Sequence, residues 1–140
     1  MLRDMTIIAQ IILVRKDGAL IMQHRDDKPG ITNPGAIAAF GGTVEPGETP
    51  LQAAVREISE ETNLQVRPED LDFFGTYPKT VARHGEDGQV HYFILRDVDD
   101  TNFQVYEGQG FYVIHNRQEL LAAKTSPLAR EVLEEYYDEL

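Results

Sequence analysis

The residues best suited to chemistry stand in one short run, Arg56-Glu57-Ile58-Ser59-Glu60-Glu61. If the run is helical, about 100° per residue puts Glu57, Glu60 and Glu61 within a wedge of roughly 100°. Like charges at such spacings destabilise a helix by about 0.2–0.5 kcal/mol per pair. They also lie away from the helix N-terminus, where the backbone dipole would favour them. A hard divalent cation gives the cluster a purpose, because magnesium takes oxygen ligands and usually binds one or two carboxylates plus substrate phosphates. Glu57 and Glu61, one turn apart, could share such an ion. Taken alone, the same run reads as a solvated acidic face.

The elements around the run decide between those readings. A helix is expected from Thr49 to about Asn63. Thr49 is a good N-cap, Pro50 suits the first helical position, and Gln52 completes a capping box. Leu51, Ala54, Val55 and Ile58 form an apolar stripe at helical spacing. Asn63 can take the left-handed conformation that ends a helix. Ahead of the helix lies Gly41-Gly42-Thr43-Val44-Glu45-Pro46-Gly47-Glu48, where glycines let backbone approach a ligand closely. Two ordinary turns would explain that segment equally well.

Together these residues resemble the Nudix box, the signature of the Nudix hydrolase family. The family pattern is Gly, five residues, Glu, seven residues, Arg-Glu, a bulky aliphatic, any residue, Glu-Glu, any residue, Gly, and a closing aliphatic. From Gly42 to Leu64 the chain matches at Gly42, Glu48, Arg56-Glu57, Ile58, Glu60-Glu61 and Leu64, and departs only where Asn63 replaces the late Gly. The resemblance implies an α/β/α sandwich with a mixed sheet and the box as loop–helix–loop. It implies Glu57 and Glu61 as principal metal ligands, with Glu60 a third ligand or acting through water. The carbonyl of Gly42, or of Gly41, would be a further ligand, and Arg56 would pair with Glu48 and fix the carboxylates. Tyr106-Glu107-Gly108-Gln109 is similar to a segment of the MutT branch that adds a metal-ligating carboxylate, which would be Glu107. Arg25 would touch a phosphate. The implied ion is Mg2+, with Mn2+ as a substitute. The implied reaction is hydrolysis of the pyrophosphate linkage of a nucleoside diphosphate joined to another moiety: a nucleoside triphosphate, oxidised or not, a nucleotide sugar, ADP-ribose or a dinucleoside polyphosphate. Dimers are common in the family, so a homodimer stays open.

Along the rest of the chain, strands are expected at Thr6–Arg15, 19–25, 37–40, 71–77, 89–98 and 110–115, with an Asp17-Gly18 hairpin turn after the first. Residues 26–35 carry two prolines and two glycines and read as loop, and 84–88 as a turn. A short helix is expected at 117–123. A final one is capped by Ser126, with Leu128, Val132, Leu133 and Tyr136 as its buried stripe. Strands and helices mix without a regular βαβ repeat, so the class is α/β or α+β, with helices packed on a sheet. No repeat or linker interrupts residues 1–140, which read as one domain. Phe40, Tyr77, Tyr92, Phe93 and Phe103 read as core or sheet surface, and His24, His84, His91 and His115 show no ligand spacing.

Charge and composition narrow the function. Asp and Glu outnumber Lys and Arg by 24 to 13, a formal charge of −11 that repels a nucleic-acid backbone. Phosphate-bearing small molecules stay admissible if bound cations reverse the local field. There is no cysteine, hence no thiolate ligand or nucleophile. The first apolar run is too short to span a bilayer and no signal peptide leads it, so a cytoplasmic protein off the membrane is expected. Two other functions compete with the hydrolase: a Nudix-like domain that senses a nucleotide metabolite without turnover, and a plain acidic interaction module. The intact Glu57, Glu60 and Glu61 favour the enzyme.

Overall fold

The structure is a computed structural model that describes residues 5–31, 33–81 and 86–140. Apolar alternation builds its sheet. Strand β1 (Thr6–Arg15) buries Ile12 and Val14 on one side and Ala9, Ile11 and Leu13 on the other. A strand covered on both faces has to be apolar nearly throughout, and Ala9–Val14 is, with one glutamine. The Asp17-Gly18 turn returns the chain as β2 (Leu20–His24), in register Leu13↔Ile21 and Val14↔Leu20.

Beyond those two pairs β1 and β2 diverge, and the segment after the long loop enters between them. It forms two short strands where one was expected. β3 (Ile37–Ala38) pairs with the end of β2, and β4 (Phe40–Thr43) pairs with the start of β1. The switch falls at Ala39, because no single straight strand can follow two diverging neighbours. β5 (Leu71–Val81) and β6 (Glu86–Val98) pair antiparallel, and β6 lies parallel to β1. The second of these starts earlier than its apolar residues suggest, since Glu86, Asp87 and Gly88 extend the ladder and shorten the expected 84–88 turn; residues 82–85, with His84, lie outside the described residues. β7 (Phe111–Ile114) closes against β2. Among the described residues the result is a mixed seven-stranded sheet, ordered β3-β2-β1-β6-β5, with β4 on β1 and β7 on β2.

Helix α1 (Pro50–Glu61) covers one face, through Ala53, Ala54 and Ile58 packed with Ile11, Leu13, Phe40 and Phe93. Helices α2 (Arg117–Ala122) and α3 (Pro127–Asp138) cover the other, through Leu120, Val132, Leu133 and Tyr136. This is the expected α/β/α layering. Each fully buried aliphatic contributes about 1.5–3 kcal/mol over leaving it in water, so Ile58, with no exposed surface, is a main tie between α1 and the sheet. The stripes shift slightly from expectation. Ala53 rather than Leu51 or Val55 is buried on α1, and Ala129 rather than Leu128 on α3, because the small residues let the helices approach the sheet.

Candidate active site

Thr49 starts α1 as expected. Its Oγ1 accepts from the Gln52 amide at 3.1 Å, and Gln52 Oε1 accepts from the Thr49 amide at 2.9 Å. The other end differs. The helix stops at Glu61 because Thr62 turns extended, its hydroxyl donating to the Ile58 carbonyl at 2.7 Å. Asn63 does not adopt the left-handed conformation expected of it. Its side chain instead bonds the 102–104 backbone, donating to Asn102 O at 2.7 Å and accepting from Gln104 N at 2.9 Å.

Between those ends, two carboxylates press against the Gly41-Gly42 backbone. Glu61 is 3% exposed, and its Oε1 accepts the Gly41 amide at 2.9 Å. Glycine is required at position 41, and at position 42 it makes room for a carboxylate. Gly41 has a φ of +146°, and a Cβ there would lie 2.0 Å from the Ala9 carbonyl oxygen. A Cβ on Gly42 would lie 2.4 Å from Glu57 Oε1, so the absent side chain is the space the Glu57 carboxylate occupies.

Arg56 organises the entrance. Its Nε and Nη2 bond both Glu48 oxygens, at 2.7 and 2.9 Å, a bidentate pair. Nη1 donates to Glu57 Oε1 at 2.9 Å and to Glu60 Oε2 at 3.3 Å, and Nη2 also donates to the Thr43 carbonyl at 3.0 Å. The arginine thus ties the loop to the helix and holds Glu48 down to about 2. Glu60 is brought no closer to the pair: its side chain is 54% exposed and turned to Arg56.

The electrostatics separate the acids. Burial raises Glu57 above the usual carboxylate range, against the pull of Arg56. Burial, and then the Glu57 charge, push Glu61 up to about 8, although the Gly41 amide favours its ionised form. Glu107 is exposed on the loop before β7, and its charge raises both groups further. As the side chains lie, no three acidic or imidazole groups among the described residues converge on one point. The oxygen-only donor set and the glycine-made space still fit a hard divalent cation, which would relieve the repulsion between Glu57 and Glu61.

Beside this pair opens a cleft of about 180 Å³, lined by Gln23, Arg25, Asp26, Lys28, Ile31 and Glu107. Arg25 and Glu107 therefore face one space, from just past the end of β2 and from the loop before β7. Sequence reasoning missed Gln23 and Lys28. Gln23 is a buried amide closing an apolar strand, and its Nε2 approaches Glu61 Oε2 at 3.4 Å. A polar residue inside the run Leu20-Ile21-Met22-Gln23 was the available signal. Lys28 sits in an irregular loop, where no periodicity could single it out. Of the histidines, His91 meets Thr76 and His115 meets Glu119, both away from these acids. Phe40, Tyr92, Phe93 and Phe103 are buried in the core.

Comparison with known proteins follows the same lines. A family model described as NUDIX domain matches residues 5–136. An uncharacterized Nudix hydrolase of Listeria monocytogenes serovar 1/2a is 32% identical over 97 residues, covering 68% of this chain and 53% of that protein. The NAD-capped RNA hydrolase NudC of Photobacterium profundum is 39% identical over 69 residues, 49% of this chain and 23% of that protein. The chain thus matches about half the length of the first relative and about a quarter of the second. Among solved structures, the MutT protein from Methanosarcina mazei Go1 aligns with a TM-score of 0.78 at 20% identity, covering 99% of this chain and 97% of its own. The E. coli dihydroneopterin triphosphate pyrophosphohydrolase aligns at 0.75 and 20%, covering 99% and 100%. At these identities the two structures establish the fold.

Proposed function

The chain belongs to the Nudix family, and on that premise we propose that it is a metal-dependent hydrolase of the pyrophosphate linkage in a nucleoside diphosphate joined to another moiety. The observation that carries the reading is the Glu57–Glu61 pair, two acids drawn out of water against a glycine backbone. Such a pair costs stability unless a cation joins it. Glu57 and Glu61 would hold Mg2+ or Mn2+, helped by Glu60, the Gly42 or Gly41 carbonyl and Glu107. The ion would neutralise phosphate oxygens and lower the pKa of a bound water.

The chain's own residues do the rest. Arg56 holds the loop carrying Glu48 against the helix, so the Glu57 carboxylate stays on Gly42. The Gly41 amide fixes one oxygen of Glu61. Arg25 and Lys28, in the cleft beside Glu107, would attract the diphosphate in an otherwise acidic chain. One carboxylate of the box, or Glu107, takes the proton of the attacking water as that water displaces a phosphoryl oxygen in line.

In this reading residues 1–140 form one domain that acts on a small nucleotide rather than a nucleic-acid polymer. No helix among the described residues is long and apolar enough to cross a membrane. The test is turnover across a panel of nucleoside triphosphates, oxidised triphosphates, nucleotide sugars, ADP-ribose, dinucleoside polyphosphates and dihydroneopterin triphosphate, in Mg2+ and then Mn2+. Phosphate or pyrophosphate release should stop with EDTA and return with either ion. Full turnover in excess EDTA refutes the mechanism. Tight nucleotide binding with no turnover on any member replaces the enzyme with a sensor.

A further inference from the structure

Asn63 is where the chain departs from the family's box, and it is also where α1 meets the loop that carries Glu107. Resting on the reading of Glu107 given above, we propose that Asn63 is a positioning residue, whose side-chain amide sets the register of the 102–107 segment so that Glu107 is held on the wall of the cleft beside the Glu57–Glu61 pair. The contacts form a short antiparallel ladder. Asn63 Nδ2 donates to the Asn102 carbonyl at 2.7 Å, Oδ1 accepts from the Gln104 amide at 2.9 Å, and the Asn63 amide donates to the Gln104 carbonyl at 3.2 Å. The ladder continues through the Thr62–Val105 bridge and ends where the Tyr106 amide donates to the Glu61 carbonyl at 2.7 Å.

One side chain therefore bonds the backbone on both sides of Phe103, the residue that anchors the segment in the core against Phe40 and Phe111. On the far side of Glu107, Gln109 fastens the loop again, its amide to the His24 carbonyl and its Nε2 to the Arg25 carbonyl, both at 2.8 Å. Glu107 is strung between two fixed points, one of them the end of the helix whose acids it must join. That placement puts Glu107 on the wall of the cleft that Gln23 also lines, and Gln23 bonds Glu61.

The chemistry selects asparagine. The position needs a donor and an acceptor in one short planar group, and the amide has both. Aspartate keeps the acceptor and loses the donor, and glycine, the family's usual residue here, has neither. Asn63 itself is exposed, so no core packing accounts for it.

The experiment compares Asn63→Gly, Asn63→Asp, Glu107→Gln and the double variant Asn63→Gly/Glu107→Gln in the full chain. Readouts are Mn2+ affinity by calorimetry without nucleotide, turnover on whichever substrate the panel identifies, and melting curves. Asn63→Gly should weaken both Mn2+ affinity and turnover by about tenfold, the scale seen when a group orienting a metal ligand is lost. Asn63→Asp should fall between it and wild type. The double variant should be no worse than Glu107→Gln alone, because both changes remove the same contribution. Wild-type Mn2+ affinity in Asn63→Gly, or losses that add to those of Glu107→Gln, overturns the proposal and leaves Asn63 a structural clamp. If Glu107→Gln is impaired and Asn63→Gly is not, the proposal fails alone. If Glu107→Gln is silent in both readouts, the reading of Glu107 fails and the proposal with it. Should Asn63→Gly not fold, Asn63→Asp against Glu107→Gln carries the same comparison.

Discussion

Helices α1 and α3 are near twins by composition and opposites by placement. Each has twelve residues, a hydroxyl residue at the N-cap and proline in the first turn. Each carries several acids, Glu57, Glu60 and Glu61 on one and Glu131, Glu134, Glu135 and Asp138 on the other. On α3 the buried positions are Ala129, Val132, Leu133 and Tyr136, and no acid joins them. On α1 Glu61 is buried together with Ala53, Ala54 and Ile58. The difference lies in what each helix faces. α3 packs its buried face on aromatic and aliphatic side chains, whereas α1 also faces Gly41-Gly42, where missing side chains make room for a carboxylate. A run of acids becomes a candidate site when a glycine backbone draws part of it out of water.

The sharpest way to break this contrast is to neutralise acids on both helices. Glu57→Gln and Glu61→Gln should each lower turnover at least about a hundredfold, the scale of a lost general base or charge-stabilising group. Glu131→Gln and Glu134→Gln on α3 should leave it unchanged. Magnesium should raise the melting temperature of wild type and of the α3 variants, because binding to the folded state stabilises it by mass action, and should raise it less in the two α1 variants. Equal turnover in all five proteins would return the α1 cluster to the solvated face that its charge alone suggested.

How far each helix could be read beforehand follows from the range of the forces. The α1 start was legible because Thr49, Pro50 and Gln52 act within one turn, and β1 and β2 because an apolar run and an Asp-Gly turn are local. The pairing of Arg56 with Glu48 was implied by the resemblance to the Nudix box, and the structure has it. The end of α1 was misread at Asn63 because its partners, Asn102 and Gln104, are remote in sequence, and nothing near residue 63 announces them. The split of 37–43 into β3 and β4 depends on where β1 and β2 diverge, which no local pattern encodes. Gln23 and Lys28 reach the cleft from a strand end and an irregular loop, so their convergence with Glu107 exists only once the sheet is assembled.

A second test uses the proton instead of substitution alone. Glu61 is raised to about 8 in the folded protein from an ordinary value of 4.5, and Glu57 is raised as well. Between those values the native state binds more protons than the unfolded chain, so stability falls as pH rises through the interval. Without divalent metal, the melting temperature should therefore decline from about pH 5 to about pH 8, by the equivalent of a few kcal/mol at most. Glu61→Gln should flatten most of that decline, and should melt above wild type at pH 8. Magnesium should remove it in wild type by favouring the ionised pair. Glu134→Gln should keep the full wild-type slope. A decline of unchanged size in Glu61→Gln would mean that the buried acid is not its source.

The smallest effect separates the two helix starts, which look alike in sequence and differ in their bonds. Thr49 Oγ1 accepts the Gln52 amide, and Gln52 returns the bond to the Thr49 amide. Ser126 occupies the same position on α3 and makes no side-chain capping bond. Its amide donates instead to the Ile37 carbonyl, so α3 is started by the backbone of the sheet. Thr49→Ala should cost about 1 kcal/mol, the usual loss for a capping hydroxyl, and more if Gln52 then leaves the Thr49-position amide unpaired. Ser126→Ala should cost only a few tenths, since the backbone bond survives. Chemical denaturation at fixed pH without metal measures both, provided the slopes with denaturant match and the midpoints alone move. Equal losses would mean that the hydroxyl of Ser126 does cap α3 in solution. A larger loss at Thr49 accompanied by weaker Mg2+ binding would carry the contrast further: the cap would then hold not only the first turn of α1 but the loop bearing Glu48, and through Arg56 the carboxylate of Glu57.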